Sequence, residues 1–321
     1  MAVLTYAGAA YEAAPGETVL AALLRQGVDV ANSCRAGACQ SCLLRAACGT
    51  VPAVAQQGLK ATLVEQGYFL SCVCRPESDL ALEPAGGLEV AGRIAALERL
   101  TETVLRARVE TEAPLEYRAG QYITLRRADG LARSYSLASL PADGTLELHV
   151  RRAPNGKMSG WLFDEARADD PVSVRGPAGD CFYTSGKPEQ PLLLAGTGTG
   201  LAPLVGICRD ALVQGHTGPI RLFHGAVRPA GLYLQDELSA LMREHSNVVY
   251  TPVVLEGGED EGIATGALDK VIAAAHPKLG VWRGFVCGDP GTVALLRKKL
   301  FLAGMASREI FADAFVEAPR A

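Results

Sequence analysis

The sequence predicts a chain of three parts: a small α+β unit over residues 1–86, an antiparallel β-barrel over 88–187, and an α/β parallel-sheet nucleotide-binding unit over 188–321. Three observations carry this reading. Cysteines at metal-binding spacing crowd the first part, short β-rich runs bounded by turns fill the second, and strands alternate with helices in the third. With 321 residues, about half of them hydrophobic, the chain is long enough for more than one core.

The first part opens with β-rich Val3-Leu4-Thr5-Tyr6 and a short segment near Tyr11, which pair as a hairpin. Thr18 is a natural N-cap for a helix over Val19 to Gln26, where Val19, Leu20, Leu23 and Leu24 recur at helical spacing. A cysteine-rich loop follows, then a strand at Leu43-Leu44-Arg45-Ala46 and a closing strand over Glu77 to Leu82. Pro84-Ala85-Gly86-Gly87 reads as a linker. The second part shows β runs at Leu88–Val90, Thr103–Val109, Tyr122–Leu125, Leu146–Val150 and Val172–Val174, spacing that suits a small barrel. After Pro188-Glu189-Gln190-Pro191, strands at Leu192–Ala195, Ile220–His224, Val248–Val254 and Gly284–Cys287 alternate with helices at Pro203–Gln214, Tyr233–Glu244, Ala267–Ala275 and Thr292–Ala303. That rhythm builds a parallel sheet covered on both faces.

Bulk properties narrow the function classes. Lys and Arg number 31 against 35 Asp and Glu, a net charge of −4, so no nucleic acid or anionic membrane is called for. No apolar run approaches membrane-spanning length, because glycine and threonine break Leu192 to Cys208. The start, Met1 to Tyr6, has neither a basic segment nor a long apolar run, so no secretory signal and a cytoplasmic location are expected. Nine cysteines in that setting point to metal or redox use. Cys48, Cys74, Cys181 and Cys208 read as small buried apolar residues.

The most specific stretch is Cys34-Arg35-Ala36-Gly37-Ala38-Cys39-Gln40-Ser41-Cys42, a C-x4-C-x2-C run with a further cysteine thirty positions on. Four thiolates at this spacing suit a [2Fe–2S] cluster. Zinc sites usually take two C-x2-4-C pairs, and a disulfide framework suits shorter exported chains. Gly37 supplies positive-φ freedom, and small neighbours let backbone N–H groups approach the sulfurs and tune the potential. Spacing leaves Cys72 and Cys74 both open as the fourth ligand. Leu70, Cys72 and Pro76 resemble the Leu-x-Cys-x-x-x-Pro segment of the ferredoxin family. That resemblance implies a β-grasp module with Cys34, Cys39, Cys42 and Cys72 as ligands.

Arg133-Ser134-Tyr135-Ser136, following Gly120-Gln121-Tyr122, resembles the R-x-Y-S sequence of the ferredoxin-NADP reductase superfamily. A guanidinium pairs bidentately with phosphate, so Arg133 is expected on the phosphate of FAD, with FMN the second choice. Tyr135, on the same strand face, would pack on the isoalloxazine, and Ser136 would present its hydroxyl near flavin N5. His149, Val150 and Arg151 precede a Gly-x-x-Ser turn, where Lys157, Met158 and Ser159 would cradle the pyrophosphate on a helix N-terminus.

Gly196-Thr197-Gly198-Thr199-Gly200-Leu201-Ala202-Pro203 joins a buried strand to a helix, with Pro203 opening it. Glycines allow close approach to a pyrophosphate, and the stretch matches the superfamily's G-x-G-x-A-P form. Cys287-Gly288-Asp289-Pro290 matches its C-G-x-P strand end, which implies that Cys287 helps place the nicotinamide over the flavin. A buried core cysteine is the competing reading. Ile310 to Phe315 resembles the superfamily's terminal acidic-x-aromatic segment, with Phe315 over the flavin, or else a plain terminal strand. Coenzyme choice should be read after His224-Gly225-Ala226-Val227-Arg228, where an arginine can bind a 2′-phosphate; the resemblance to family members with this order of parts implies NADH, with NADPH open.

The three parts belong together chemically. Hydride transfer moves two electrons, a [2Fe–2S] cluster takes one, and a flavin converts between them. In this order the chain resembles the reductase components of bacterial multicomponent oxygenases that hydroxylate aromatic rings. The resemblance implies an oxidoreductase that passes electrons to a terminal oxygenase component or an intermediate ferredoxin, and a monomer is expected. The same relay could serve a P450 or a deoxysugar dehydratase, and a cluster-bearing redox sensor is the non-enzymatic alternative.

Overall fold

The computed structural model describes residues 2–28, 30, 37, 42–59, 61–84, 88–258 and 262–315. Its contacts divide the chain into two compact units, Met1–Gly87 and Leu88–Ala321.

In the first unit, β1 (Ala2–Tyr6) and β2 (Ala9–Ala13) form the expected hairpin. α1 (Val19–Arg25) starts where Thr18 accepts a hydrogen bond from the Ala21 N–H, and it buries Val19, Leu20, Ala22 and Leu23. β3 (Leu43–Cys48), α2 (Ala61–Glu65), β4 (Tyr68–Leu70) and β5 (Leu80–Pro84) complete a mixed sheet in the order β2-β1-β5-β3-β4. β5 lies parallel to β1 and antiparallel to β3. The closing strand therefore begins at Leu80 and not at Glu77, since Pro76 through Asp79 form the turn that feeds it. The expected linker is partly sheet: Pro84 ends β5, and 85–87 lie outside the described residues. α2 and β4 were not expected, because three- and five-residue elements carry too little periodicity to read. Cys48 is exposed, against the buried position expected for it, because the β3–β5 register shifts between Ala46 and Cys48.

The second unit begins with six strands: β6 (Leu88–Arg99), β7 (Val104–Thr111), β8 (Tyr122–Arg127), β9 (Ala132–Ser136), β10 (Leu146–Arg151) and β11 (Pro171–Ala178). They form one antiparallel sheet in the order β10-β7-β6-β11-β8-β9. The expected barrel is a curled sheet whose two edges meet at a single bridge, Leu137 to Leu148. Its interior holds Ile94, Leu105, Ile123, Leu125, Leu148 and Val174, and α3 (Lys157–Asp164) covers it with Met158, Leu162 and Phe163. β6 runs nine residues past the expected Val90, since its alternation is interrupted by a register shift between Ile94 and Ala96.

A six-stranded parallel sheet follows, in the order β15-β14-β13-β12-β16-β17. Its strands are β12 (Leu192–Thr197), β13 (Ile220–Ala226), β14 (Val248–Val254), β15 (Ala264–Thr265), β16 (Arg283–Gly288) and β17 (Ile310–Ala314). The crossover helices are α4 (Leu201–Val213), α5 (Gln235–Glu244), α6 (Leu268–Ala275) and α7 (Pro290–Leu302). Helices on both faces explain why β12 and β16 read as continuous apolar runs. Pro203 sits in the first turn of α4 but does not open it; the helix starts two residues earlier, where a missing N–H costs nothing. Among the described residues no helix is long and apolar enough to cross a membrane.

A buried charge cluster ties the two sheets of this unit together. Arg106, 5 % exposed on β7, meets Glu98 at 3.0 Å, Glu147 at 3.3 Å and Glu237 of α5 at 2.6 Å. A guanidinium this buried is tolerated because carboxylates surround it. Leu194 at the centre of β12 is fully buried. Leu194→Ala should destabilise this unit by about 2–5 kcal/mol, read as a lower denaturant midpoint; an unchanged midpoint would contradict the core placement.

Candidate functional site

A cleft of about 1510 Å³ opens where the curled sheet meets the carboxyl ends of the parallel strands, the usual place for a nucleotide in such sheets. One wall comes from the curled sheet: Tyr122, Ser134, Tyr135, Ser136, His149 and Arg151. The floor comes from Thr197, Gly198 and Thr199 after β12 and from Gly288 and Asp289 after β16. Asp313 and Phe315 close one end, while 225–228, 230–231, Val253, Leu255 and 266–269 line the other.

Two backbone segments meet in the floor. A Cβ on Gly200 would lie 2.4 Å from the Cys287 carbonyl oxygen, and one on Gly196 2.9 Å from the same atom. Gly288, at φ +119°, would place a Cβ 2.6 Å from the Thr197 carbonyl. These three glycines thus let β12's loop lie on the end of β16. Gly198, at φ +53°, has open space where a Cβ would stand and is the loop glycine turned to the cleft. Thr197 Oγ1 accepts from the Asp289 N–H at 3.3 Å, and Asp289 caps α7 by accepting from the Thr292 N–H at 2.8 Å.

The Ser136 hydroxyl donates to Asp313 Oδ2 at 2.8 Å. Burial raises the Asp313 carboxyl above its ordinary range, opposed by this hydrogen bond and reinforced by the charge of Asp180. Asp313 is the functional candidate that sequence reading left out of the site. Its signal was the acidic-x-aromatic segment, but its partner lies 177 positions away. Phe315 borders the cleft, its N–H donating to the Gly288 carbonyl, so the terminal segment is both a strand and part of the site.

Other expected residues are placed differently. Cys287 is 1 % exposed, with its sulfur 3.7 Å from Cys181 Sγ. Burial, then the neighbouring thiol, pushes its pKa well up. It is a core thiol directly beneath the floor. Arg133 is exposed, its Nη1 donating to the Ala132 carbonyl at 2.7 Å. Tyr135 is half-buried in the wall, its phenol raised chiefly by burial. Val150 points into the core of the curled sheet. Met158 is buried under the same sheet, Lys157 is exposed, and Ser159 Oγ accepts from the Ala153 N–H and donates to the Gly156 carbonyl. The turn before α3 is therefore held by Ser159's side chain, leaving the first-turn N–H groups to any anion.

His149 is buried between Glu147, 3.0 Å from Nε2, and the Tyr233 hydroxyl, 3.1 Å from Nδ1. Burial lowers its pKa against the pull of Glu147. Burial works against ionised Glu147, but His149, Arg106 and Arg108 hold that carboxyl down at about 2.

In the first unit Cys34 and Cys39 lie outside the described residues. Cys42 and Cys72 are both buried. Ser71 joins them: its N–H and its hydroxyl donate to the Cys42 carbonyl at 3.2 and 2.7 Å. Gly37 has φ +77°, and a Cβ there would touch Val73 at 3.4 Å, so Gly37 rests on the 70–73 turn. Cys74 is fully buried in the core, and its carbonyl accepts from the Val19 N–H at the start of α1. The donor chemistry around Cys42 and Cys72 suits a thiolate-bound cluster, and the cleft suits a flavin with a dinucleotide.

Three family models match in the order read from the chain. A 2Fe-2S iron-sulfur cluster binding domain matches residues 5–77, an oxidoreductase FAD-binding domain 92–183, and an oxidoreductase NAD-binding domain 194–298. The ferredoxin–NAD(P)+ reductase component of the naphthalene 1,2-dioxygenase system of Pseudomonas putida is 32% identical over 308 residues, 94% of each chain. The reductase subunit of an Amycolatopsis aromatic O-demethylase is 36% identical over 323 residues, 95% of each. The crystal structure of an Amycolatopsis cytochrome P450 reductase superposes with a TM-score of 0.70 at 31% identity, covering 98% of this chain and 99% of that one.

The raised carboxyl of Asp313 has a consequence for stability. A carboxylate whose folded pKa is raised weakens the fold above that pKa, and the penalty vanishes below the unfolded value of about 3.9. Asp313→Asn should raise the melting temperature at pH 7, with the gain fading as the pH falls towards about 4; a gain that persists unchanged at low pH would contradict the burial of this group.

Proposed function

The chain belongs to the family of ferredoxin–NAD(P)+ reductase components of oxygenase systems, and from that premise we propose how its residues serve NADH oxidation and electron delivery to an oxygenase component or an intermediate ferredoxin. The bound groups supply an NADH-to-FAD-to-[2Fe–2S] relay that turns one electron pair into two single electrons. The observation that carries the reading is one cleft shared by Ser134, Tyr135 and Ser136 of the curled sheet and by Thr197, Gly198 and Thr199 of the parallel sheet.

Tyr135 would pack against the flavin ring and Arg151 and the start of α3 would hold its phosphates. Arg133, bonded to the Ala132 carbonyl, would reach the same region on releasing it. The Ser136 hydroxyl, aimed by Asp313, would stand beside the reacting flavin edge, and Phe315 would cover the ring until nicotinamide takes its place. Cys287 supports the floor from below; its packing against Cys181 favours a positioning role over contact with the coenzyme. Gly198 and Thr199 would receive the coenzyme pyrophosphate. Cys34, Cys39, Cys42 and Cys72 would ligate the cluster, because Ser71 draws Cys72 to Cys42 while Cys74 is fully buried with its backbone bonded to the start of α1. We place this relay in the cytoplasm, where thiolate ligands stay reduced, and the protein as a monomer.

NADH is favoured over NADPH by the far end of the cleft. Arg228, the residue able to bind a 2′-phosphate, is already held by Glu256 through Nε at 3.1 Å and Nη2 at 3.0 Å. Glu256→Gln should release it and raise kcat/KM for NADPH at least about fivefold, the scale of one charge-assisted contact, while NADH changes less; equal response to both coenzymes would remove Arg228 from selection.

Anaerobic titration with NADH tests the relay itself. The reductase reading expects both flavin and iron–sulfur absorbance to bleach, whereas a redox sensor would leave them unchanged. Cys72→Ser should lose the cluster and Cys74→Ser keep it; the reverse pattern would transfer the fourth ligand to Cys74. A P450 as final acceptor is the second reading, favoured by the match to a P450 reductase, and a screen of acceptors for NADH-dependent turnover separates the two.

A further inference from the structure

His224 is fully buried at the end of β13, in register with Gly196 on the neighbouring strand. Its Nε2 lies 3.2 Å from the Gly198 carbonyl oxygen. A carbonyl only accepts, so Nε2 carries the proton and Nδ1 is the acceptor, facing the Tyr250 hydroxyl at 3.5 Å. Tyr233 packs edge-on against this imidazole at 5.2 Å and against His149 at 5.3 Å, which fixes the ring. Burial, opposed by the bond to Gly198, holds the imidazole's pKa down at about 4, so the donor is a neutral N–H at working pH.

The Gly198 carbonyl also accepts from the Leu201 N–H, so both its lone pairs are engaged on the inner side. The Gly198–Thr199 peptide is trans, and in a trans peptide C=O and N–H point in opposite directions. With the carbonyl turned inward, the Thr199 N–H is turned into the cleft that Gly198 and Thr199 line. Glycine at 198 makes this peptide easy to rotate. Rotated, it would present an oxygen with partial negative charge where an anion must lie.

We propose that His224 is a positioning residue for the coenzyme: by holding the Gly198 carbonyl inward it aims the Thr199 N–H at the pyrophosphate. This rests on the coenzyme-binding reading given above. His224 touches no ligand itself; it acts through one peptide group, in support of the helix N-terminus of α4. Without the His224 N–H the Gly198 carbonyl keeps only a bond that the Leu201 N–H shares with the Thr199 carbonyl, so the helix start survives while the peptide is held loosely and its aim is lost.

The test uses FAD-loaded protein and calorimetric binding of ADP-ribose, which carries the pyrophosphate but cannot reduce the flavin. A glutamine side chain can place an N–H near the Nε2 position; asparagine is too short and leucine has no donor. His224→Asn and His224→Leu should weaken ADP-ribose binding at least tenfold, and His224→Gln should stay within threefold of the parent. In steady state the two donor-less variants should raise the KM for NADH with kcat within threefold. Flavin content and melting temperature report folding, and should His224→Leu fail to fold, the Asn–Gln pair decides alone. Donor-less variants that bind as well as the parent, or a glutamine variant as weak as the leucine one, would overturn the proposal. A parent protein that binds no ADP-ribose would instead overturn the coenzyme site itself.

Discussion

The cleft depends on one backbone contact, the loop after β12 lying directly on the end of β16. Gly196, Gly200 and Gly288 sit where a Cβ would come within 3 Å of backbone oxygen. With those side chains absent, two adjacent parallel strands can end at the same level and share one floor. Every other part of the site is arranged around that floor. Asp313 and Phe315 reach it from β17, the neighbour of β16, and Ser136 reaches it from the edge of the curled sheet. A glycine-rich loop is often credited with ligand approach alone. Here most of its glycines serve the protein's own packing, and only Gly198 faces open space.

The curled sheet must hold a fixed position over that floor, and polar contacts, as well as apolar ones, provide it. Arg106 gathers carboxylates from β6, β10 and α5. Glu147 links that cluster to His149, and Tyr233 stands between His149 and His224. Such a network is weak evidence for net stability, because desolvation offsets much of the attraction. Its value is directional: hydrogen bonds and edge-on rings set orientation where packed methyl groups would allow sliding. Hydride transfer needs reacting atoms about 3–3.5 Å apart, so orientation matters more here than total stability.

The first unit solves a different problem with the same economy of contacts. Cysteines thirty positions apart in sequence are brought together by a single serine, which binds the Cys42 carbonyl twice just before Cys72. Cys74, two residues on, is fully buried, and its carbonyl accepts from the Val19 N–H at the start of α1.

The amino-acid sequence by itself determined the order of the three parts, the first helix, the alternation of the parallel sheet, the cysteine run and the two glycine and serine motifs. All of these are local: spacing, caps and periodicity are set by neighbours a few residues apart. Tertiary structure alone decided what each motif touches. Asp313 meets Ser136 across 177 positions, Cys287 packs on the sulfur of Cys181, and Arg228 is paired with a glutamate from another loop. The long continuation of β6, the short α2 and β4, and the exposure of Cys48 follow from strand register, which is fixed only when a partner strand is in place. A motif names the atoms available for chemistry, and the fold chooses their neighbours.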